Sequence, residues 1–184
     1  MAKKRSGTPK LRISRHFLAD RRFNPDAAIR VTGVENINLQ DWHRRGLIPE
    51  PRAVVGRGHR RRYSVLDLAH IYIMRTLGDA GVPLGPAFRL AMSGARRIEE
   101  YIFRQGATRN ADELEQLPDC FAVLFRMDDK WQQKWFGPGG DPVPDGGIQR
   151  FMRLLNVEVA TVLDISTITM LFFLRVLDEL GIKG

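Results

Sequence analysis

The spacing of apolar residues predicts helices through most of the first hundred residues. The first helix begins at Pro25, directly after Asn24, because Asn is a favoured N-cap and Pro suits the first helical position. It ends at Gly33, since glycine tolerates the left-handed conformation of a helix end. The second helix covers roughly Asn36–Arg45 and stops at Gly46. A helix, a tight turn and another helix are therefore predicted.

Two longer helices follow in the pattern. Ser64 and Asp67 have the form of a capping box at the start of the third helix. Its apolar residues at helical spacing are Leu66, Ala69, Ile73 and Leu77. The fourth helix covers roughly Gly85–Arg104 and is amphipathic. It lacks sustained heptads, so the sequence does not indicate a long two-stranded coiled coil.

Beyond residue 107 the pattern favours strands. Phe121–Met127 and Trp131–Phe136 are strand-like and are joined by Asp128-Asp129-Lys130, which predicts a hairpin. Val157–Leu163 is β-branched and predicts a third strand. Ile148–Leu155 fits either a helix or a strand.

A final helix is predicted from Ser166, as its cap, to Leu180. This helix is apolar on nearly every side, so it must be buried on more than one side. Its own small α/β unit should not need so much apolar surface. We therefore expect Phe172, Phe173 and Val176 to form the interface of a homodimer.

A basic, glycine-containing loop follows the second helix and is closed by Tyr63. Its charged residues include Arg57, His59, Arg60, Arg61 and Arg62. Two helices followed by a basic loop suit a winged helix-turn-helix, in which one helix enters a DNA groove and a hairpin grips the backbone. Residues 1–64 hold 16 Lys/Arg against 5 Asp/Glu, whereas residues 65–184 hold 13 against 16. This charge split favours a polyanionic partner for the first half.

The composition argues against several other classes of protein. The single cysteine, Cys120, excludes an intramolecular disulfide and a multi-cysteine metal site, and the histidines show no metal spacing. No catalytic triad, carboxylate pair or phosphate-binding loop stands out, so we expect no cofactor, no metal and no enzymatic activity. The longest apolar run, Ile168–Leu177, is shorter than the ~17–25 residues that span a bilayer. The first residues lack the apolar stretch of a signal peptide, and we expect a cytoplasmic, nucleoid-associated protein without membrane contact.

Several short motifs in residues 22–92 resemble the MerR family of winged helix-turn-helix regulators. They are Val31-Thr32-Gly33-Val34, Leu39, Trp42, Arg44-Arg45-Gly46-Leu47-Ile48-Pro49, Arg52, Arg61-Arg62-Tyr63-Ser64 and Leu66-Asp67-Leu68, continued by Leu77, Gly81 and Leu84. The resemblance implies a homodimer on a two-fold symmetric promoter site in double-stranded DNA, with an unrelated C-terminal region that senses a signal or makes the dimer. RNA polymerase is a further partner to consider, and the effector stays open. The cysteines of the family's metal and redox sensors are absent, so those activities are not implied.

These observations together predict an α+β fold. Residues 1–19 are expected to form a basic arm, with a short helical turn around His16–Ala19. Residues 20–92 form the winged helix-turn-helix, residues 93–106 a connecting helix, and residues 107–184 a C-terminal α/β region for dimerisation or sensing.

The predicted DNA contacts lie on the second helix and the basic loop. If Leu39 and Trp42 face inward, a turn of about 100° per residue directs outward Ile37, Gln40, Asp41 and Arg44. Gln can bind adenine bidentately, Arg can reach guanine or phosphate, and Ile can meet a thymine methyl. The full set is Asn36, Ile37, Asn38, Gln40, Asp41, His43, Arg44, Arg57, His59, Arg60, Arg61, Arg62 and Tyr63.

Two alternative functions stay open at this point. A DNA-architectural factor, such as a phage excisionase-like protein, would use the same domain, although such proteins usually lack a second region like residues 107–184. A protein–protein adaptor would use the winged helix only as a scaffold. Steep salt dependence of DNA binding would argue against the adaptor.

Overall fold

The computed structural model describes residues 12–49, 61–103, 108–110, 119–138, 140–142, 147, 150, 153 and 159–182. Within them the chain has an α+β fold. The elements are β1 (Arg12–Ser14), α1 (Arg15–Ala19), α2 (Pro25–Thr32), α3 (Asn36–Arg44), α4 (Val65–Asp79), α5 (Leu84–Ile102), β2 (Thr108–Asn110), β3 (Phe121–Met127), β4 (Lys130–Phe136), β5 (Val159–Asp164) and α6 (Ile165–Glu179). None of the helices in the described part is long and apolar enough to cross a membrane.

The helix boundaries follow local side-chain signals. The side chain of Asn24 accepts a hydrogen bond from the Ala27 amide at 2.8 Å, which caps α2. Gly33 ends α2 with a φ of 68°, a conformation that a side chain would strain. Ser64 and Asp67 form the reciprocal capping box at the start of α4. All three predictions are confirmed.

A three-stranded antiparallel sheet has the order β4-β3-β5. The predicted hairpin is confirmed, and its turn consists of Asp128 and Asp129 with φ of 50° and 60°. Positive φ at both central residues gives a two-residue turn whose twist matches that of the strands. One face of β3 adds Ala122 and Leu124 to the main core, whereas Val123 belongs to a second apolar cluster.

The last helix begins differently from the prediction. Asp164, not Ser166, is the N-cap of α6, and its Oδ1 accepts the Thr167 amide at 3.0 Å. The Ser166 hydroxyl donates to the same carboxylate. A carboxylate at this position also interacts favourably with the positive end of the helix dipole, which explains why Asp takes the cap.

Residues 12–19 do not form the predicted basic arm. They form β1, which pairs antiparallel with β2, and α1, which matches the helical turn expected around His16–Ala19. Ile13, Phe17 and Leu18 are buried in the main core. The apolar residues among the basic ones therefore decide the structure of this segment, because their burial outweighs the solvation of their charged neighbours.

The C-terminal helix α6 packs directly on the helix-turn-helix. The Arg30 guanidinium on α2 makes two hydrogen bonds to the Glu179 carboxylate, at 2.6 and 2.9 Å. Arg175 donates to the Val31 carbonyl at 3.5 Å, and the rings of Phe172 and Tyr72 lie 5.7 Å apart. One apolar core is therefore continuous from residues 12–103 into α6, instead of being divided at residue 107.

This packing corrects the predicted dimer interface. Phe172, Phe173 and Val176 are at most 1% exposed, and their partners are residues of the same chain. α6 is buried on more than one side, as predicted. The second side, however, is covered by α2 and α4 of the same chain instead of by a second copy.

Candidate nucleic-acid interface

The solvent-facing side of α3 carries the polar residues expected to read DNA. Leu39 and Trp42 are buried, which fixes the rotation of the helix. Ile37 is consequently 73% exposed, and Gln40 and Arg44 are exposed beside it. Asn36 and Asn38, at the start of the helix, are exposed as well. The predicted outward face is therefore present, and it combines amide, guanidinium and aliphatic groups that suit base edges.

Asp41 lies on the same side, but the positive charges of neighbouring arginines balance its negative charge. Its carboxylate binds the guanidinium groups of Arg44 and Arg45, one turn along the helix. The hydrogen bond from Arg44 is the main cause that lowers the pKa of Asp41. An ionised Asp41 thus restrains two arginines at the end of α3, which makes it a positioning group for them.

His43 and Tyr63, both in the predicted set of DNA contacts, are buried side chains in the structure. His43 is 7% exposed and Tyr63 is 2% exposed, and the ring Nε2 lies 2.7 Å from the Tyr63 hydroxyl. Burial raises the pKa of Tyr63, so the hydroxyl is protonated at neutral pH. This correction has a simple origin, because His43 follows Leu39 by four residues and shares its inward face.

The hydrogen bond between His43 and Tyr63 fixes α3 to the chain that precedes α4. Tyr63→Phe should lower the free energy of unfolding by about 1–3 kcal/mol, because a buried ring nitrogen loses this partner. Denaturant unfolding followed by circular dichroism measures the change. Tyr72→Phe is the matched control, since its hydroxyl has no hydrogen-bond partner among the described residues. Equal losses in the two variants would contradict this role.

The chain around residue 62 is held against the segment before α2. Phe23 and Tyr63 exchange two backbone hydrogen bonds of 3.1 and 2.8 Å. The Arg62 guanidinium donates to the Arg22 carbonyl at 2.9 Å, and Arg21 donates to the Arg62 carbonyl at 3.2 Å. Arg62 is therefore engaged in hydrogen bonds within the domain.

Arg61 instead points toward the outward face of α3. Its guanidinium donates to the Gln40 side-chain oxygen at 3.3 Å, and the Gln40 amide donates to Asn36 at 3.5 Å. The structure thus brings Arg61, Gln40 and Asn36 together on one surface. Arg57, His59 and Arg60, also predicted to contact DNA, lie outside the described residues.

His70 contributes to the position of α3, a role that its sequence pattern does not predict. Its Nε2 lies 2.8 Å from the Leu47 carbonyl, in the turn that follows α3. Burial lowers the pKa of His70, so the ring is neutral near pH 7 and donates from Nε2 to this carbonyl. The sequence signal for this burial was its position in α4, directly after Ala69, one of the apolar residues at helical spacing. In the described part of the chain, no group of His, Cys, Asp and Glu is arranged to hold a metal ion.

Residues 23–90 match the family model of the MerR HTH family regulatory protein. The match covers the helix-turn-helix, α4 and the start of α5, and it confirms the resemblance predicted for residues 22–92. No curated protein matches the chain. Residues 23–90 therefore form a helix-turn-helix domain of the MerR type, which suggests a DNA-binding regulator.

Proposed function

We propose that the protein is a transcription regulator that binds a two-fold symmetric DNA site as a homodimer. The observation that carries this proposal is the outward face of α3. It presents Ile37, Gln40 and Arg44 to solvent next to Arg61, inside a domain of the MerR type. A regulatory role, not a catalytic one, fits this surface.

The residues of this face have separate roles in the proposal. Gln40 binds an adenine edge, Ile37 meets a thymine methyl, and Arg44 reaches a guanine or a phosphate. Arg61 contacts the DNA backbone, and we expect the arginines among residues 50–60 to add contacts to it. In the free chain the Gln40 side chain is bound to Asn36 and Arg61, so DNA binding exchanges these hydrogen bonds for contacts to base and phosphate.

The homodimer follows from the size of the recognition surface. A single α3 covers few base pairs, and symmetric regulators obtain tight binding by pairing two half-sites. With Phe172 and its neighbours buried, the most exposed apolar side chains on α6 are Leu171 and Leu174, at 44% and 49%. They lie three residues apart on one side of the helix. We assign the dimer contact to these two leucines.

The cellular setting is part of the same proposal. A regulator of this kind acts in the cytoplasm, bound to the nucleoid, and RNA polymerase stays a predicted partner. The excess of basic residues in the first 64 positions supports association with DNA through its phosphates.

The salt dependence of binding tests whether the partner is DNA. Arg61→Gln should weaken binding to all duplex sequences alike and reduce the slope of log affinity against log salt by about 0.9, the value for one lost phosphate contact. Fluorescence anisotropy with a labelled duplex at several salt concentrations measures it.

The matched control for this experiment is Lys130→Gln. It removes one positive charge from the exposed β3–β4 hairpin and should leave the slope unchanged. Equal slopes for Arg61→Gln and the unmodified chain would remove Arg61 from the DNA contact. A chain with no salt-dependent binding to DNA would support the adaptor instead.

A further inference from the structure

A cleft lies between α5 and the edge strand β4, away from the DNA-binding face. Trp131, Gln133 and Trp135 alternate along β4 and share the side that faces α5. The Ser93 hydroxyl donates to the Gln133 side-chain oxygen at 3.3 Å, which joins the two walls. A hollow of about 170 Å³ is lined by residues of α5 and by Trp131–Gln133 of β4, and an open hollow of about 580 Å³ lies along α5 alone.

The α5 wall of the cleft is basic. Arg89 borders both hollows, and Arg96 and Arg97 border the larger one, with Glu100 as the acidic residue among the lining side chains. Among the described residues, Arg89 and Arg96 have no ion-pair partner. By contrast, a carboxylate binds Arg15, Arg30, Arg44, Arg45, Arg75 and Arg126. Two guanidinium groups are thus left for an external anion.

Apolar and aromatic groups lie directly beside these charges. The Arg97 guanidinium lies 5.4 Å from the centre of the Trp135 ring. Trp131 is half-buried at the entrance to the smaller hollow, and Met92 is 44% exposed between the arginines. An indole and a thioether offer a flat apolar surface, and arginine forks match carboxylate, sulfonate and phosphate oxygens.

We propose that this cleft binds a small aromatic acid. The acid group binds Arg89 and Arg96, and the ring packs against Trp131 and Met92. Arg89 borders both hollows, so a ligand held there reaches the aromatic wall of the smaller one and the basic side of the larger one. The local excess of positive charge selects anions, although residues 65–184 as a whole hold more acidic than basic residues.

The position of the cleft links it to the DNA-binding face. Phe88, next to Arg89 on α5, makes an edge contact with the His70 ring at 5.6 Å between centroids. His70 in turn binds the Leu47 carbonyl after α3. A ligand that shifts α5 therefore also shifts the turn that follows α3. An effect of the ligand on DNA binding rests on the proposed function.

The binding test uses 2-naphthoate as the probe and the full chain without DNA. We expect calorimetry to show one saturable site per chain, and tryptophan fluorescence to change with the same midpoint. The double variant Arg89→Gln with Arg96→Gln should bind at least tenfold more weakly, and Trp131→Leu should also weaken binding. The neutral analogue 2-naphthol should bind the unmodified chain at least tenfold more weakly than naphthoate does.

The matched control is Lys134→Gln, which removes a positive charge from the opposite side of β4, where Lys134 pairs with Asp141. It should leave naphthoate affinity unchanged within about twofold. Absence of a saturable site, or equal affinity in the double variant and the unmodified chain, would overturn the proposal. Because no DNA is present, failure here is distinct from failure of the regulator assignment.

Discussion

Phe172→Ala is expected to lower the free energy of unfolding of the whole chain by about 3–5 kcal/mol, the cost of an aromatic cavity in a packed core. Phe172 is fully buried between the Tyr72 and Phe173 rings, at 5.7 and 5.5 Å between centroids. Tyr72 belongs to α4 of the DNA-binding half. The cavity therefore weakens the N-terminal domain and α6 together.

Guanidinium unfolding, followed by both circular dichroism and tryptophan fluorescence, measures this change. Met92→Ala is the matched control, because its side chain is 44% exposed on α5 and lies outside the proposed dimer contact, and it should cost less than about 0.5 kcal/mol. The two probes should report one transition for Phe172→Ala. A separate early transition that leaves the helix-turn-helix folded would contradict a continuous core.

Changing Leu171 and Leu174 to Asp together should convert the proposed dimer into a monomer. Two buried carboxylates without partners cost far more than the dimer contact can supply. Since pairing of two half-sites contributes a factor of about 10²–10⁴ to affinity, binding to a symmetric site should fall by at least about a hundredfold. Light scattering and anisotropy on the same samples measure mass and affinity.

Val162→Asp is the control for the dimer test, because Val162 is 46% exposed, close to the exposure of Leu171, but lies on β5. It should leave both the mass and the DNA affinity unchanged. An unmodified chain that is monomeric at micromolar concentration, free and on DNA, would remove the dimer from the proposal. An unchanged dimer in the double variant would move the interface elsewhere.

The sequence predicted the helix boundaries and the hairpin well, because the residues that specify each of them lie within a few positions of one another. Asn24, Gly33 and the Ser64–Asp67 box each specify a helix boundary through their own hydrogen bonds or backbone freedom. The β3–β4 hairpin is also specified locally, since its turn and its two paired strands are adjacent in the chain. The helix-turn-helix is built from such signals, and the motifs in residues 22–92 identified its family.

The tertiary partners were harder to predict, and the errors share one cause. A pattern shows that a side is buried but not what covers it, which is why Phe173 was assigned to a second copy while α2 and α4 already cover α6. His43 was predicted to be a polar surface residue. Its spacing from Leu39 places it inward, and its Nε2 is hydrogen-bonded to the Tyr63 hydroxyl. The pairing of α2 with α6 through Arg30 and Glu179 joins residues far apart in the chain, and no local signal indicates it.

Selection of bound sequences from random duplex DNA tests the central claim most directly. The unmodified chain and Gln132→Ala, a control with an exposed glutamine on β4, should return the same two-fold symmetric consensus. Gln40→Ala should lose the preference at one base pair of each half-site, by about 1–3 kcal/mol, while its affinity for nonspecific DNA stays nearly the same. If Gln40→Ala returns the consensus of the unmodified chain, or if the unmodified chain enriches no sequence, the outward face of α3 does not read DNA.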